Sequence, residues 1–189
     1  MDPRRFFTAS DLDAVAEAAR EAEHRTSGEI VPYGVGACDE YDEAAWKAAA
    51  LGALAGGAGG FVLHFLGGFW GGSTIHWILA PAVVLALAGF FLCRWSPRIR
   101  RRFVRDEVLD LRARRRAAAA FLEEEVFDTG ERTGILIFVA VFEHRVVVMG
   151  DAGINRAVPE GAWEHVVADV VEGIRRGEPA AAIIEAIRE

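Results

Sequence analysis

The sequence predicts an α/β protein: a small three-layer α/β/α sandwich with a mixed sheet, interrupted by a transmembrane helical hairpin. Three observations carry this. Ala48 to Cys93 contains no Asp, Glu, Lys or Arg, in a chain where 26% of residues are charged. Gly134 to Phe142 is a β-branched and aromatic run without polar alternation, the pattern of a strand covered on both faces. Amphipathic helical segments lie before and after it, and strands that are apolar on both sides need two helical layers. The chain order is helix, strand, membrane hairpin, helix, strand, strand, helix, helix. Residues 1–47 and 117–189 form the two parts of the sandwich, 48–93 the hairpin and 94–116 a basic juxtamembrane helix.

Thr8 with Asp11 has the spacing of a capping box. Leu12, Val15, Ala16, Ala19 and Ala22 then recur on one face as far as about His24. Thr26-Ser27-Gly28 ends this helix. Glu29 to Val35 reads as a short strand, and Pro32 makes it irregular or an edge. Asp39 to Glu43 is an acidic patch that caps the helix leading into the apolar run.

A hydrocarbon core takes about 20 apolar residues per helix, so the uncharged run is two spans, Ala48–Leu66 and Ile75–Leu92. They are joined by Gly67-Gly68-Phe69-Trp70-Gly71-Gly72-Ser73-Thr74. A helix of a soluble protein keeps a polar stripe, and neither half has one. Trp70 and Trp77 fall at one membrane face, Trp46 and Trp95 at the other, where indole rings prefer to lie. His64 and His76 fall near the turn and are expected to be neutral and solvated. Pro81 is placed in the first turns of the second helix, where its missing N–H costs little. Gly52, Gly56 and Gly60 recur every four residues as a close-packing face through which the protein is able to oligomerise. No Lys or Arg lies between the spans, whereas residues 94–116 hold ten Arg and three acids. Positive residues stay on the cytoplasmic side, which places both termini and the soluble domain in the cytoplasm.

Ser96-Pro97 breaks the second span. Residues 98–127 read as one long or kinked helix, basic in its first half and acidic at Glu123–Glu125, ending at Asp128-Thr129-Gly130. Gly134–Phe142 and Arg145–Gly150, separated by Glu143-His144, read as a β-hairpin. Asp151-Ala152-Gly153-Ile154 reads as a turn. Pro159 and Glu160 open a helix in which Trp163, Val166, Val167, Val170, Val171 and Ile174 hold helical spacing. Gly177 stops it, and Glu178-Pro179 starts a last helix with Ile183, Ile184 and Ile187 inward. Pattern alone leaves the strand order open.

The net charge of −7 hides a split, because outside the basic segment acids outnumber bases in both soluble parts. An acidic domain makes nucleic acid an unsuitable partner. The basic segment either lies on anionic lipid headgroups, at about 1 kcal/mol per basic residue, or only sets the topology. Cys38 and Cys93 face a reducing cytosol and are expected to be free thiols. The first 47 residues are charged and periodic, unlike a cleavable signal peptide. The sequence has no Gly-x-Ser-x-Gly, no P-loop, no Cys-x5-Arg loop and no zinc-spaced His/Cys set. What remains is acid. Asp151 follows a strand beside glycines, Asp128 and Glu131 precede another, and Glu29 begins the first. A sheet that brings these ends together makes them candidate ligands for Ca²⁺ or Mg²⁺, which take several carboxylate oxygens. The alternative is that these acids terminate strands and helices, as Asp does in turns.

Several motifs in order resemble the TPM-domain family. They are Glu23-His24-Arg25-Thr26-Ser27-Gly28-Glu29-Ile30-Val31, Arg132-Thr133-Gly134-Ile135-Leu136-Ile137-Phe138, Glu143-His144-Arg145-Val146-Val147-Val148, Gly150-Asp151-Ala152-Gly153-Ile154 and the closing helices from Trp163 to Ile187. The likeness covers about 1–36 and 110–189. It points to a bacterial subgroup with an inserted two-helix transmembrane hairpin, hence to the inner membrane. The family's longer Gly-Tyr-Gly-Leu-Glu-Gly turn is replaced here by Gly150 to Glu160. The resemblance implies divalent-metal binding at an acidic cleft. It also implies one of two roles: a non-enzymatic binding, assembly or maintenance factor for other membrane proteins, or a membrane-tethered, metal-dependent acid phosphatase acting on phosphomonoesters. No nucleophile with a recognisable base accompanies the second. A transporter is disfavoured, because two spans and two peripheral histidines offer little pathway.

Overall fold

In chain order the elements are α1 (Ala9–Glu23), β1 (Ile30–Val35), α2 (Asp42–Gly67), α3 (Thr74–Trp95), α4 (Pro97–Arg102), α5 (Asp106–Glu123), β2 (Ile135–Ala140), β3 (Arg145–Gly150), α6 (Ala152–Ala157), α7 (Ala162–Arg176) and α8 (Pro179–Arg188). They come from a computed structural model that describes residues 8–24, 28–67, 74–159 and 161–188. The glycine-rich turn with Trp70, the helix-ending Thr26-Ser27 and the helix-opening Glu160 lie outside the described residues. The chain divides into two compact units, Met1–Asp39 with Glu107–Glu189, and Glu40–Asp106.

The first unit is built on a mixed sheet of order β1-β2-β3, with β1 parallel and β3 antiparallel to β2. The unalternating run becomes the middle strand, and its side chains divide between two cores. Ile137 and Val139 join Val15, Ala18 and Ala19 of α1, Val170 of α7, and Ile183 and Ile187 of α8. Leu136, Phe138 and Ala140 join Ala113, Ala117 and Ala120 of α5. The sheet is therefore covered on both faces. Pro32 sits on the edge strand β1, where a missing N–H interrupts no ladder on the open side. The capping box forms as spaced: Thr8 Oγ1 accepts from the Asp11 N–H at 3.2 Å, and the Asp11 carboxylate accepts from the Thr8 N–H at 2.8 Å.

Three local readings change. The β2–β3 connection is a four-residue loop, Val141–His144, rather than the two residues Glu143-His144. The Val141 and Phe142 N–H groups bond to the Val35 and Gly36 carbonyls at 3.0 and 3.1 Å, so the chain keeps following β1 past the end of β2. His144, at φ +50, closes the loop. The stretch after Asp151 is a short helix, α6, rather than a turn. Gly153 misleads because it serves close approach: a Cβ there would lie 2.5 Å from the carbonyl oxygens of Glu131 and Arg132. Residues 98–127 divide into α4 and α5, with Phe103–Arg105 between them. Arginines at 98, 100, 101, 102 and 105 place like charges three and four residues apart, which disfavours a continuous helix.

In the second unit, α2 and α3 form an antiparallel hairpin with a glycine seam. A Cβ on Gly52, Gly56 or Gly60 would collide with the backbone at Leu85, Pro81 and Trp77 respectively, and one on Gly89 would lie 2.6 Å from the Ala48 carbonyl oxygen. The contact advances four residues on α2 for every four it retreats on α3, so Gly52, Gly56 and Gly60 face α3. By contrast, a Cβ on Gly59 would meet nothing within 4 Å. Pro81 stands about two turns inside α3, past the first turn, whose N–H groups have no partner within the helix. Proline has no N–H to donate to the Trp77 carbonyl one turn back, and that is the carbonyl a Cβ on Gly60 would meet. The charged end of the hairpin is tied by Arg94 to Asp42 at 3.2 Å and by the edge-on rings of Trp46 and Phe90, 5.2 Å apart.

Candidate functional site

Strand register determines which loops meet. Ile30, Ile135 and Gly150 align across the sheet. Residues entering β1 and β2 and leaving β3 therefore share one end, and the four acids singled out by sequence all belong to those segments. Asp151 is the buried one, its side chain only 8% exposed. It accepts from Arg132 Nε at 3.0 Å and Nη2 at 3.4 Å, and from the Ala152 N–H at 2.6 Å. It is thus the N-cap of α6 and half of an ion pair. The Arg132 hydrogen bonds, followed by the Ala152 N–H, hold its carboxyl below the usual carboxylate range against the opposing effect of burial.

The loop that presents Arg132 is latched in place. The Asp151 N–H bonds to the Gly134 carbonyl at 2.9 Å, and the Gly153 N–H to the Arg132 carbonyl at 2.8 Å. The Thr133 N–H bonds to Thr129 Oγ1 at 2.8 Å. Arg132 itself sits at φ +56, a conformation L residues adopt only when their surroundings enforce it. Glu29, Asp128 and Glu131 are exposed. Glu29 contributes its carbonyl, which accepts from the Ile135 N–H at 2.8 Å. The fold thus brings the four acid-bearing segments to one end and engages Asp151 with a guanidinium. Among the described residues no three His, Cys, Asp or Glu side chains gather closely enough to hold a metal ion. A hard cation takes six to eight oxygens for calcium or six for magnesium, and the only buried carboxylate of the four already has its counter-charge.

The opposite end of the sheet holds a second polar group that pattern reading missed. Glu143, fully buried in the β2–β3 loop, accepts from the Cys38 N–H through Oε1 at 2.8 Å. Burial first, and the Glu143 charge second, push the Cys38 thiol up to about 12. Cys38 and Cys93 are both free. In the core cluster that includes Cys38, Tyr33 stacks on Phe138 at 5.9 Å. Arg116 lies over the Tyr33 ring and donates to its hydroxyl at 2.8 Å and to Glu123 at 2.9 Å. Arg112 pairs with Asp39 at 3.0 Å. In the sequence these arginines merge with the basic run after the second span. The pairing of Arg112 with Asp39 spans the whole hairpin in sequence and appears only in the fold.

Residues 107–189 match the TPM domain, less than half of the chain. The match begins where the sandwich unit resumes after the hairpin, and residues 1–36 lie outside it. The fold is similar to the NMR structure of BA42 protein from the psychrophilic bacterium Bizionia argentinensis, with a TM-score of 0.53 and 18% identity over 97% of this chain and 77% of that one. No curated protein matches the chain.

Proposed function

From the TPM-domain match over residues 107–189, we propose that the protein is an integral membrane binding or assembly factor. Its α2–α3 hairpin crosses the bilayer, and its α/β/α unit engages other membrane proteins from the cytoplasmic side. The observation that carries this is the hairpin surface. Leu54, Phe65 and Leu66 are 72%, 77% and 77% exposed on helices without a charge between Ala48 and Cys93. Apolar area left in water costs about 25 cal/mol per Å², and a bilayer removes that cost. Apart from the bond that Pro81 cannot make, the interior backbone of each helix is hydrogen-bonded within its own helix, as a span requires. The arginines after Arg94 support a cytoplasmic placement of both termini. The sandwich unit supports a non-catalytic role, since its buried acids are engaged with Arg132 and with the Cys38 N–H.

The test has two parts. Membranes washed with alkaline carbonate retain the full chain, and a cysteine introduced at Gly71 is labelled only from outside the cell; release by carbonate overturns the anchor. Crosslinking in cells followed by detergent purification recovers a membrane-protein partner in fixed ratio, and a monomer with none overturns the assembly role. The shared sheet end of Glu29, Asp128, Glu131 and Asp151 supports a second reading, a weak Ca²⁺ or Mg²⁺ site, which requires Asp151 to exchange Arg132 for the ion. A calcium or magnesium titration that raises the melting temperature in the native chain but not in Asp151→Asn supports it, and no shift with either ion removes it.

A further inference from the structure

The ten arginines of residues 94–116 look alike in sequence and separate in the structure. Arg112, Arg114 and Arg116 belong to the sandwich unit, paired with Asp39, Asp110 and Glu123. Arg94 is paired with Asp42 within the hairpin unit, and Arg100 donates to the Glu40 carbonyl at 3.1 Å. Arg98 and Arg102 are different. Both are exposed, and among the described residues neither makes a hydrogen bond or an ion pair. They stand four residues apart on α4, so their side chains rise from one face of that helix.

α4 begins directly where the hairpin ends. Ser96, in extended conformation at φ −106 and ψ 108, stops α3 after Trp95 and caps α4 through its hydroxyl. At this end of the hairpin Trp46 and Trp95 are 67% and 77% exposed. Indoles of that kind lie at headgroup level in a bilayer. Ile99, 37% exposed, adds an apolar residue between the two arginines. Two unanswered guanidiniums, an apolar residue and a tryptophan pair occupy one short stretch at the mouth of the spans.

We propose that α4 binds the headgroups of anionic phospholipids through Arg98 and Arg102, giving the protein an anionic lipid shell on its cytoplasmic side. This rests on the hairpin spanning the membrane. Guanidinium suits the task because its planar fork meets phosphate oxygens in pairs. Topology alone needs positive charge somewhere in the segment, and Arg94, Arg100, Arg112, Arg114 and Arg116 supply that while engaged elsewhere. Arg115, in the sandwich unit, is likewise exposed without a partner among the described residues, but within the hairpin unit Arg98 and Arg102 are the pair left so at the mouth of the spans.

The experiment reconstitutes the full chain, carrying Trp46→Phe, Trp70→Phe, Trp77→Phe and Trp163→Phe, into vesicles of phosphatidylcholine and phosphatidylglycerol. One lipid or the other has brominated chains that quench Trp95 fluorescence. Brominated phosphatidylglycerol quenches more than its mole fraction predicts, by about fivefold in apparent affinity for each arginine engaged. The preference weakens as salt rises. It falls towards unity in Arg98→Gln/Arg102→Gln, survives in Arg98→Lys/Arg102→Lys, and is unchanged in Arg114→Gln. Equal quenching by both lipids, or a preference untouched by the double glutamine variant, overturns the proposal and leaves the arginines as topology signals. Quenching by neither lipid removes Trp95 from the bilayer and overturns the anchor itself. On the unmodified protein, mass spectrometry of co-purified lipid gives the same answer: enrichment of anionic phospholipid over the surrounding membrane supports the proposal, and bulk composition contradicts it.

Discussion

The two units of this chain solve helix and strand packing in opposite ways. In the α/β/α unit, side chains fill the space between backbones: Leu136, Phe138 and Val139 are buried between two helical layers. In the hairpin, removing side chains lets backbones meet, at Gly52, Gly56, Gly60 and Gly89, and the large apolar residues point outward. The first arrangement is driven by expelling water from apolar surface. The second gains little from that if its surroundings are already apolar, and depends on close backbone contact. The two units therefore pack by different means, and each should be broken by a different class of substitution.

The largest effect belongs to the sandwich. Phe138→Ala removes a fully buried ring that stacks on Tyr33 in the α5-side core, and should cost about 3–5 kcal/mol. Urea unfolding followed by near-ultraviolet circular dichroism of the full chain in detergent reads this directly; a loss under about 1 kcal/mol would show that this core repacks freely. The hairpin predicts the reverse sensitivity. Gly56→Leu adds volume where a Cβ already meets Pro81, and should cost about 1–3 kcal/mol or separate the helices. Gly59→Leu, facing open space on the same helix, should be neutral or slightly stabilising. Disulfide trapping between cysteines placed on α2 and α3 distinguishes the two variants. Equal trapping in both would sink the seam.

Legibility followed the same division. The apolar helix pair, the covering of β2 on both faces and the amphipathic α7 were readable because each follows from composition or periodicity along one segment. Pro32 left β1 either irregular or an edge, and the unalternating run from Gly134 to Phe142 pointed to a strand covered on both faces without any knowledge of neighbours. The polar groups at the sheet ends were not readable to the same extent. Asp151 was visible as an acid after a strand, but its role depends on Arg132, which stands 19 residues earlier and on a loop that meets it only through the antiparallel register. Glu143 and Cys38 are 105 residues apart, across the whole hairpin. Gly153 suggested a turn because sequence records that glycine is present and not whether it serves φ or proximity. The two kinds of arginine between 94 and 116 were inseparable for the same reason: pairing is a property of the fold.

At the sheet end, pH gives a smaller effect with a defined sign. Because the folded state holds the Asp151 carboxyl below its unfolded value of about 3.9, its contribution is present above that value. It is lost as pH falls through the lower folded one. Asp151→Asn, which removes the charge but keeps an oxygen for the Ala152 N–H, should lower the melting temperature at pH 7. The gap to the native chain should close as the pH drops below about 4. A gap that stays constant down to pH 2 would mean the Arg132 pair contributes nothing and only the cap matters.

Cys38 gives the smallest effect and the clearest contrast with an ordinary surface thiol. Its pKa of about 12 leaves it a thiol at neutral pH, and the thiolate is the nucleophile. The folded value lies above the unfolded one of about 8.5. The stabilising contribution is therefore complete below about pH 8.5 and is lost as the pH rises through 12. In a Cys93→Ser background, iodoacetamide at pH 8 should label Cys38 at least about tenfold more slowly than a free thiol, even allowing for the greater intrinsic nucleophilicity of a more basic sulfur. Glu143→Gln retains an acceptor for the Cys38 N–H and removes the charge, so labelling should quicken while the melting temperature changes little. Burial is the larger cause of the shift and survives that substitution, so the rate should not reach that of the free thiol. If Glu143→Gln reached it, charge rather than burial would dominate at this end of the sheet. If the variant left the rate unchanged, the Glu143 charge would have no hold on the sulfur, and the hydrogen bond to the Cys38 N–H would be its whole role.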